Sequence, residues 1–127
     1  MKSLHLAKPE DAEKLITIVA AFHAEMGFDT DRAHHEGALI PLLEGSPYGA
    51  VWLIGPKLSP VGYLVICFGW SVEFGGMDAF VDEIYIRPAV RRRGMGAEAL
   101  NSMALTLKES GVRALHLEVD RDNATAQ

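Results

Sequence analysis

The chain has 127 residues, 12 basic and 17 acidic, for a net charge of −5, with 49% hydrophobic and 23% charged residues. That length fits one domain and excludes a two-domain enzyme with a separate cofactor module, and the composition is that of a globular protein. The acidic balance argues against nucleic acid as a partner, the single cysteine excludes a disulfide framework and a multi-cysteine zinc site, and no apolar run approaches the ~20 residues of a membrane span.

The opening segment lacks the apolar stretch of a secretory signal, so a cytoplasmic location is expected. Leu4-His5-Leu6 alternates and predicts a first strand. Pro9 suits a first helical position, with Glu10 and Asp11 where the helix dipole favours acids. Leu15, Ile16, Val19, Ala20, Phe22 and His23 recur at helical spacing as far as Met26, and Gly27 ends the helix. Phe28 to Asp31 reads as a loop, with Thr30 or Asp31 capping a second helix from Arg32 to Leu43, weakened by Gly37 and Pro41. A strand is expected from Ala50 to Ile54, a hairpin turn over Gly55 to Pro60, and a returning strand from Val61 to Trp70. Gly75-Gly76 marks a turn and Ala79 to Ile86 the next strand, closed by Arg87-Pro88. A helix follows from Gly94 to Ser110, with Leu100, Met103, Ala104 and Leu107 on one face and Gly111 as its C-terminal glycine. Ala114 to Val119 predicts a last strand, and Asp122 to Gln127 looks like the opening of a further helix, cut short. This order predicts one α/β (α+β) domain over residues 1–127, a mixed sheet with helices on both faces. Its strand-helix-strand unit should be parallel with a right-handed crossover.

The chemistry concentrates in Asp82 to Ala97, where a strand runs into a basic turn, then glycines, then a helix. The first turn of a helix has unpaired N–H groups and a positive dipole end, which together bind anions. Gly94 and Gly96 clear the approach to that backbone, and Arg91, Arg92 and Arg93 add forked positive donors. A bound polyanion accounts for three arginines massed in an acidic protein. The overlapping G-x-G-x-x-A of Gly94 to Ala99, with Glu118 as a ribose-binding acid, would suit a dinucleotide fold. Its glycines should then follow the strand directly, yet Arg87 to Arg93 intervene.

The segment resembles the GNAT family of N-acetyltransferases. Arg91, Gly94 and Gly96 match its R/Q-x-x-G-x-G/A signature, and Glu83 to Pro88 its lead-in strand. Val61 to Ser71, Gly75-Gly76 and Val81-Asp82-Glu83 are similar to the diamine acetyltransferase branch. The resemblance implies acetyl-CoA as co-substrate and a sheet splayed between its fourth and fifth strands. Backbone N–H groups of Arg92, Arg93, Gly94, Met95, Gly96 and Ala97 would hold the pyrophosphate. Ile84 and Ile86 would bond the pantetheine arm through their backbone, and Asn123, with Val119 and Ala126, matches the family's V-x-x-x-N-x-x-A. The family's tyrosine acid would lie beyond Ala126, where the sequence ends.

Acetyl transfer needs a neutral amine, and a carboxylate can take its proton. Glu83 is the first candidate and Asp82 the second; as strand neighbours they face opposite sides unless a bulge intervenes. The developing oxyanion would meet a backbone N–H near Ile84. Phe28, Asp29 and Trp70 are expected to line the acceptor site, with Asp31 contributing from the same loop. Tyr48, Tyr63, Tyr85 and Cys67 read as packing, His23 as packing or cleft lining, and His34-His35 lack the spacing of metal ligands. The expected function is acetyl transfer to a primary amine of a small cationic, polyamine-like molecule within a ternary complex. A non-catalytic acyl-CoA-binding module and a protein or peptide N-acetyltransferase are the alternatives. An exposed last strand from Ala114 to Val119 suggests a homodimer.

Overall fold

The computed structural model describes residues 4–91 and 94–118. In chain order it contains β1 (Leu4–Leu6), a 3-10 turn (Pro9–Asp11), α1 (Ala12–Met26), α2 (Arg32–Leu43), β2 (Gly49–Ile54), β3 (Gly62–Ser71), β4 (Gly76–Ile86), a second 3-10 turn (Pro88–Val90), α3 (Met95–Glu109) and β5 (Ala114–His116). The five strands form one sheet in sequence order, antiparallel from β1 to β4 and parallel between β4 and β5.

The first helix departs from its expected start. Pro9 opens a separate 3-10 turn, because the buried Asp11 carboxylate accepts the Lys8 backbone N–H at 2.9 Å and turns the chain before α1 begins. Gly27 ends α1 in the left-handed region, at φ +77°. Asp31, not Thr30, caps α2: its Oδ1 accepts the His34 N–H at 2.9 Å. That leaves the Thr30 hydroxyl available for other partners. Pro41 is tolerated inside α2 because the carbonyl it leaves unpaired belongs to Gly37, on the exposed side of the helix.

Two apolar layers sandwich the sheet. On one face Leu15, Ile16, Ile18 and Val19 of α1 and Leu39 and Leu43 of α2 pack on Val51, Leu53, Tyr63, Val65 and Tyr85. On the other face Ala99, Met103 and Leu107 of α3 pack on Ile54, Leu64, Ile66 and Ala79. Each fully buried aliphatic side chain contributes about 1.5–3 kcal/mol, so the register that sends each side chain to its face is strongly enforced.

One irregularity in that register positions the site. Val65 pairs with Glu83 but Ile66 pairs with Val81, so Asp82 is an extra residue in β4. Ala79 and Val81 pack on the α3 side, and plain alternation would send Glu83 there too. The bulge resets the phase: Ile84 and Ile86 fall on the α3 side, while Glu83 and Tyr85 face α1 and α2. Just before the bulge, β4 and β5 part. Their pairing runs from Asp78/Ala114 to Phe80/His116 and stops. This corrects the expected extent of β5, which ends at His116 with Leu117 and Glu118 outside it, while Val119 lies outside the described residues. From Val81 to Ile86, β4 has no strand neighbour on that side among the described residues. The corrected β4 starts at Gly76, not Ala79: only Gly75, at φ +80°, belongs to the turn.

The ladder leaves no room at Gly62, where a Cβ would lie 2.0 Å from the Tyr85 carbonyl oxygen. Gly62→Ala should force β3 from β4 and cost on the order of 2 kcal/mol, roughly 5–10 °C in Tm by calorimetry. An unchanged Tm would contradict this close approach.

Candidate active site

Glu83 sits where β4 has just passed its bulge, and its carboxylate is held from two sides. The Tyr63 hydroxyl, on β3, donates to Oε1 at 2.6 Å, and His23 Nε2, on α1, lies 3.0 Å from Oε2. His23 Nδ1 lies 3.0 Å from Thr30 Oγ1, which in turn lies 2.9 Å from His35 Nε2 on α2. His23 and His35 are both buried. The sequence reads Tyr63 as packing, Thr30 only as an alternative helix cap, and His35 as lacking the spacing of a metal ligand. Tyr63 is packed, with no exposure, but its hydroxyl belongs to the site. Its phenol is pushed far above the usual tyrosine range, first by burial and then by the Glu83 carboxylate it bonds, so it remains a donor. The one available signal was His23, a polar residue on an otherwise apolar helix face.

The edge of β4 has the polarity expected for pairing. Arg87 N–H donates to the Val61 carbonyl at 2.8 Å. Bonded pairs in an antiparallel ladder recur every second residue, so Tyr85 and Glu83 direct their backbone groups at β3. Ile84 and Ile86 therefore turn theirs to the side from which β5 has departed. Below this edge, Gly94 caps α3 at φ +76° without a capping side chain, and the first helical bond is Glu98 N–H to the Gly94 carbonyl. The N–H groups of Met95, Gly96 and Ala97 precede that bond and have no acceptor within the helix.

Arg91 is used differently from the expectation. Its Nε donates to the Ile86 carbonyl at 2.7 Å, its Nη2 pairs with Glu25 of α1 at 2.7 Å, and its guanidinium lies over the Tyr85 ring at 5.2 Å. The side chain thus ties the end of β4 to α1 and occupies one carbonyl of the open edge. Arg92, Arg93 and Asn123 lie outside the described residues.

Between the parted strands is a cleft of about 860 Å³ lined by Cys67, Phe80, Val81, Asp82, His116, Leu117 and Glu118. Asp82 is exposed on its wall, and its carboxyl is pushed up by partial desolvation and then by the charge of Glu83. Cys67, expected in the core, is half-buried here because its parity on β3 faces a stretch that neither α1 nor α2 covers; burial pushes its thiol up, away from the thiolate. His116 stacks on Phe80 and pairs with the buried Asp78 at 3.1 Å. Phe28 stands edge-on to His23, ring centroids 5.2 Å apart, so it joins the Glu83 side of the site, with Asp29 exposed in the same loop. Trp70 is not brought to the site. It is 73% exposed at the far end of β3, on the parity of Leu64, Ile66 and Phe68, which pack towards α3.

The buried network has a pH signature. Burial, and after it the neighbouring His23 and His34, holds the His35 imidazole below its ordinary value, against the opposing pull of Asp31 and Glu83. Folded His35 therefore binds a proton less readily than the unfolded residue, whose pKa is ~6.5. Its contribution to stability is complete above about pH 6.5 and is lost as pH falls through that value towards the folded pKa. The Tm of the protein should drop from about pH 7 to pH 5, and His35→Gln should flatten that drop. An identical pH profile for the variant would contradict the assignment.

Comparisons with known proteins agree with this geometry. The acetyltransferase (GNAT) family profile matches residues 15–127. An integron cassette protein from the mobile metagenome of Cole Harbour Salt Marsh is 34% identical, at a TM-score of 0.85 over 92% of this chain and 77% of that one. A protein from Arthrobacter sp. FB24, provisionally described as an acetyltransferase, is 29% identical, at a TM-score of 0.82 over 99% and 80%. An aminoglycoside acetyltransferase from an uncultured soil metagenomic sample, in complex with sisomicin, shares the fold at 16% identity and a TM-score of 0.80 over 94% and 78%. None of the curated proteins matches the chain. The sheet is mixed with an antiparallel β3–β4 pair, which also sets aside the dinucleotide fold that the glycines alone allowed. With its strands parted beside a bulged acidic strand and glycines opening α3, the chain belongs to the GNAT family of acetyltransferases, whose members use acetyl-CoA as co-substrate.

Proposed function

We propose that the protein transfers the acetyl group of acetyl-CoA to a primary amine of a small cationic acceptor, by direct attack within a ternary complex. The observation that carries this reading is Glu83, a partly exposed carboxylate oriented by two donors, beside the open edge of β4. Outward N–H and C=O groups at Ile84, with the Ile86 N–H, fit the amide-bearing arm of the co-substrate as a pseudo-strand. The N–H groups of Met95, Gly96 and Ala97, which have no acceptor within the helix, lie at the positive end of α3 and fit its pyrophosphate. Arg92, Arg93 and Asn123 are assigned to the same ligand by the family signature. When bound, the co-substrate supplies an acetyl thioester, an electrophile for a neutral amine.

The acceptor arrives protonated. An alkyl amine has a pKa near ~10.4, so fewer than about one in a thousand is neutral at pH 7. Glu83 takes the ammonium proton onto a carboxylate oxygen and frees the nitrogen lone pair. Asp82 and Glu118 on the cleft wall attract the cation, while Phe80 offers a flat apolar surface. Phe28 and Asp29 close the other side. This acidic lining favours a polyamine-like molecule, as the likeness of Val61 to Glu83 to the diamine acetyltransferases also suggests. A polycationic amine is likewise bound by the sisomicin-complexed neighbour of the same fold.

A thiol-release assay over a panel of amines tests the reading. Glu83→Gln should lower kcat by roughly a hundredfold or more while leaving acetyl-CoA binding intact. Gly96→Glu, which sets a negative charge at the helix N-terminus, should abolish acetyl-CoA binding by calorimetry. Tight acetyl-CoA binding without turnover on any amine would favour a non-catalytic acyl-CoA-binding module instead.

A further inference from the structure

We propose that Thr30 and His35 are positioning residues that fix the tautomer of His23 and, through it, the orientation of Glu83. The inference rests on the acetyl-transfer reading above and extends it to residues outside the co-substrate and acceptor surfaces. Its basis is the directionality of the hydrogen bonds. An ionised Glu83 can only accept, so a neutral His23 3.0 Å from Oε2 must carry its proton on Nε2. Its Nδ1 then has only a lone pair and requires a donor. The Thr30 hydroxyl, 3.0 Å away, is the nearer donor, and His35 Nε2, at 3.3 Å, is the farther one. Having given its proton to His23, the Thr30 oxygen is an acceptor for His35 Nε2–H at 2.9 Å. Donation therefore runs one way: His35 to Thr30, Thr30 to His23, His23 to Glu83. Tyr63 completes the cradle on the other carboxylate oxygen.

The arrangement spans three separate elements, α1, the loop before α2, and α2 itself, and converges on β4. Asp31 takes over the capping of α2 and so releases Thr30 for this role. The Phe28 ring, edge-on to His23, and the burial of both imidazoles keep water from substituting for the threonine. Without the Thr30 hydroxyl, Nδ1 faces only His35 Nε2, 3.3 Å away, which can accept as well as donate, so His23 can carry its proton on Nδ1 instead. It then turns a lone pair towards Glu83, and the two repel. The carboxylate loses one of its two anchors and its aim at the amine, while the β4 edge and the α3 turn are untouched.

Thr30→Val removes the hydroxyl while keeping the shape, and Thr30→Ser restores it. Imidazole ¹⁵N spectra should show His23 in the Nε2–H form in the wild type and the serine variant, and in mixed tautomers in the valine variant. In the thiol-release assay Thr30→Val should lower kcat roughly ten- to hundredfold with an unchanged KM for acetyl-CoA, and Thr30→Ser should recover it. A purely structural role would instead move Tm and both kinetic constants together. Wild-type His23 in the Nδ1–H form, or a valine variant with wild-type kcat, would overturn the inference while leaving acetyl transfer standing. An absence of turnover by the wild type on every amine would overturn acetyl transfer and, with it, the catalytic use of this chain.

Discussion

The site depends on one extra residue in a strand. Asp82 has no partner across the β3–β4 ladder, and the strand changes phase around it. On one side of the bulge, side chains at alternate positions fill the α3 core; beyond it, the same alternation puts a carboxylate under α1 and two isoleucines over α3. The pairing with β5 ends at Phe80 and His116, two residues before the extra one. The inward carboxylate, the open strand edge and the cleft between the strands thus meet at a single backbone irregularity. Ordinary pairing would abolish all three, because a fully laddered β4 and β5 leave no free N–H or C=O groups and no space.

A carboxylate turned into a helix-covered face has to be stabilised there. An unsatisfied buried polar group costs about 1–3 kcal/mol, and more when charged. Glu83 meets that cost with Tyr63 and His23, and each further polar group is satisfied in turn by the next. The consequence is coupling. Side chains from β3, β4, α1 and α2 share one set of hydrogen bonds, so the position of the acid is referred to the whole α1–α2 layer and not to its own strand alone. Arg91 works in the same direction at the far end of β4, bridging the Ile86 carbonyl and Glu25 of α1.

Much of this was legible in the sequence. The order of elements, with a strand, a basic turn, glycines and a helix in succession, followed from local patterns: alternation, helical spacing, and glycines after arginines; the parting of β4 from its neighbour was implied by the family resemblance. Those patterns involve residues close together in the chain. Elements shifted where a tertiary partner intervened, as when buried Asp11 turned Pro9 into a 3-10 entry. Arg91 matched a phosphate-loop signature, yet its side chain is committed to protein partners, among them Glu25, 66 positions away in sequence. Trp70 was assigned by residue type, and its strand parity sends it to the wrong face.

What the sequence determined by itself was therefore a neighbourhood: two acids on a strand, a turn of arginines and glycines after it, and an acidic chain around that short basic segment. What only the tertiary structure decided was which carboxylate faces inward and what holds it. Asp82 and Glu83 are indistinguishable by type and spacing, and a bulge is visible only in the pairing with β3. The bond between His23 and Glu83 joins residues 60 positions apart. No local propensity encodes such a contact, because it arises from the packing of α1 across the sheet.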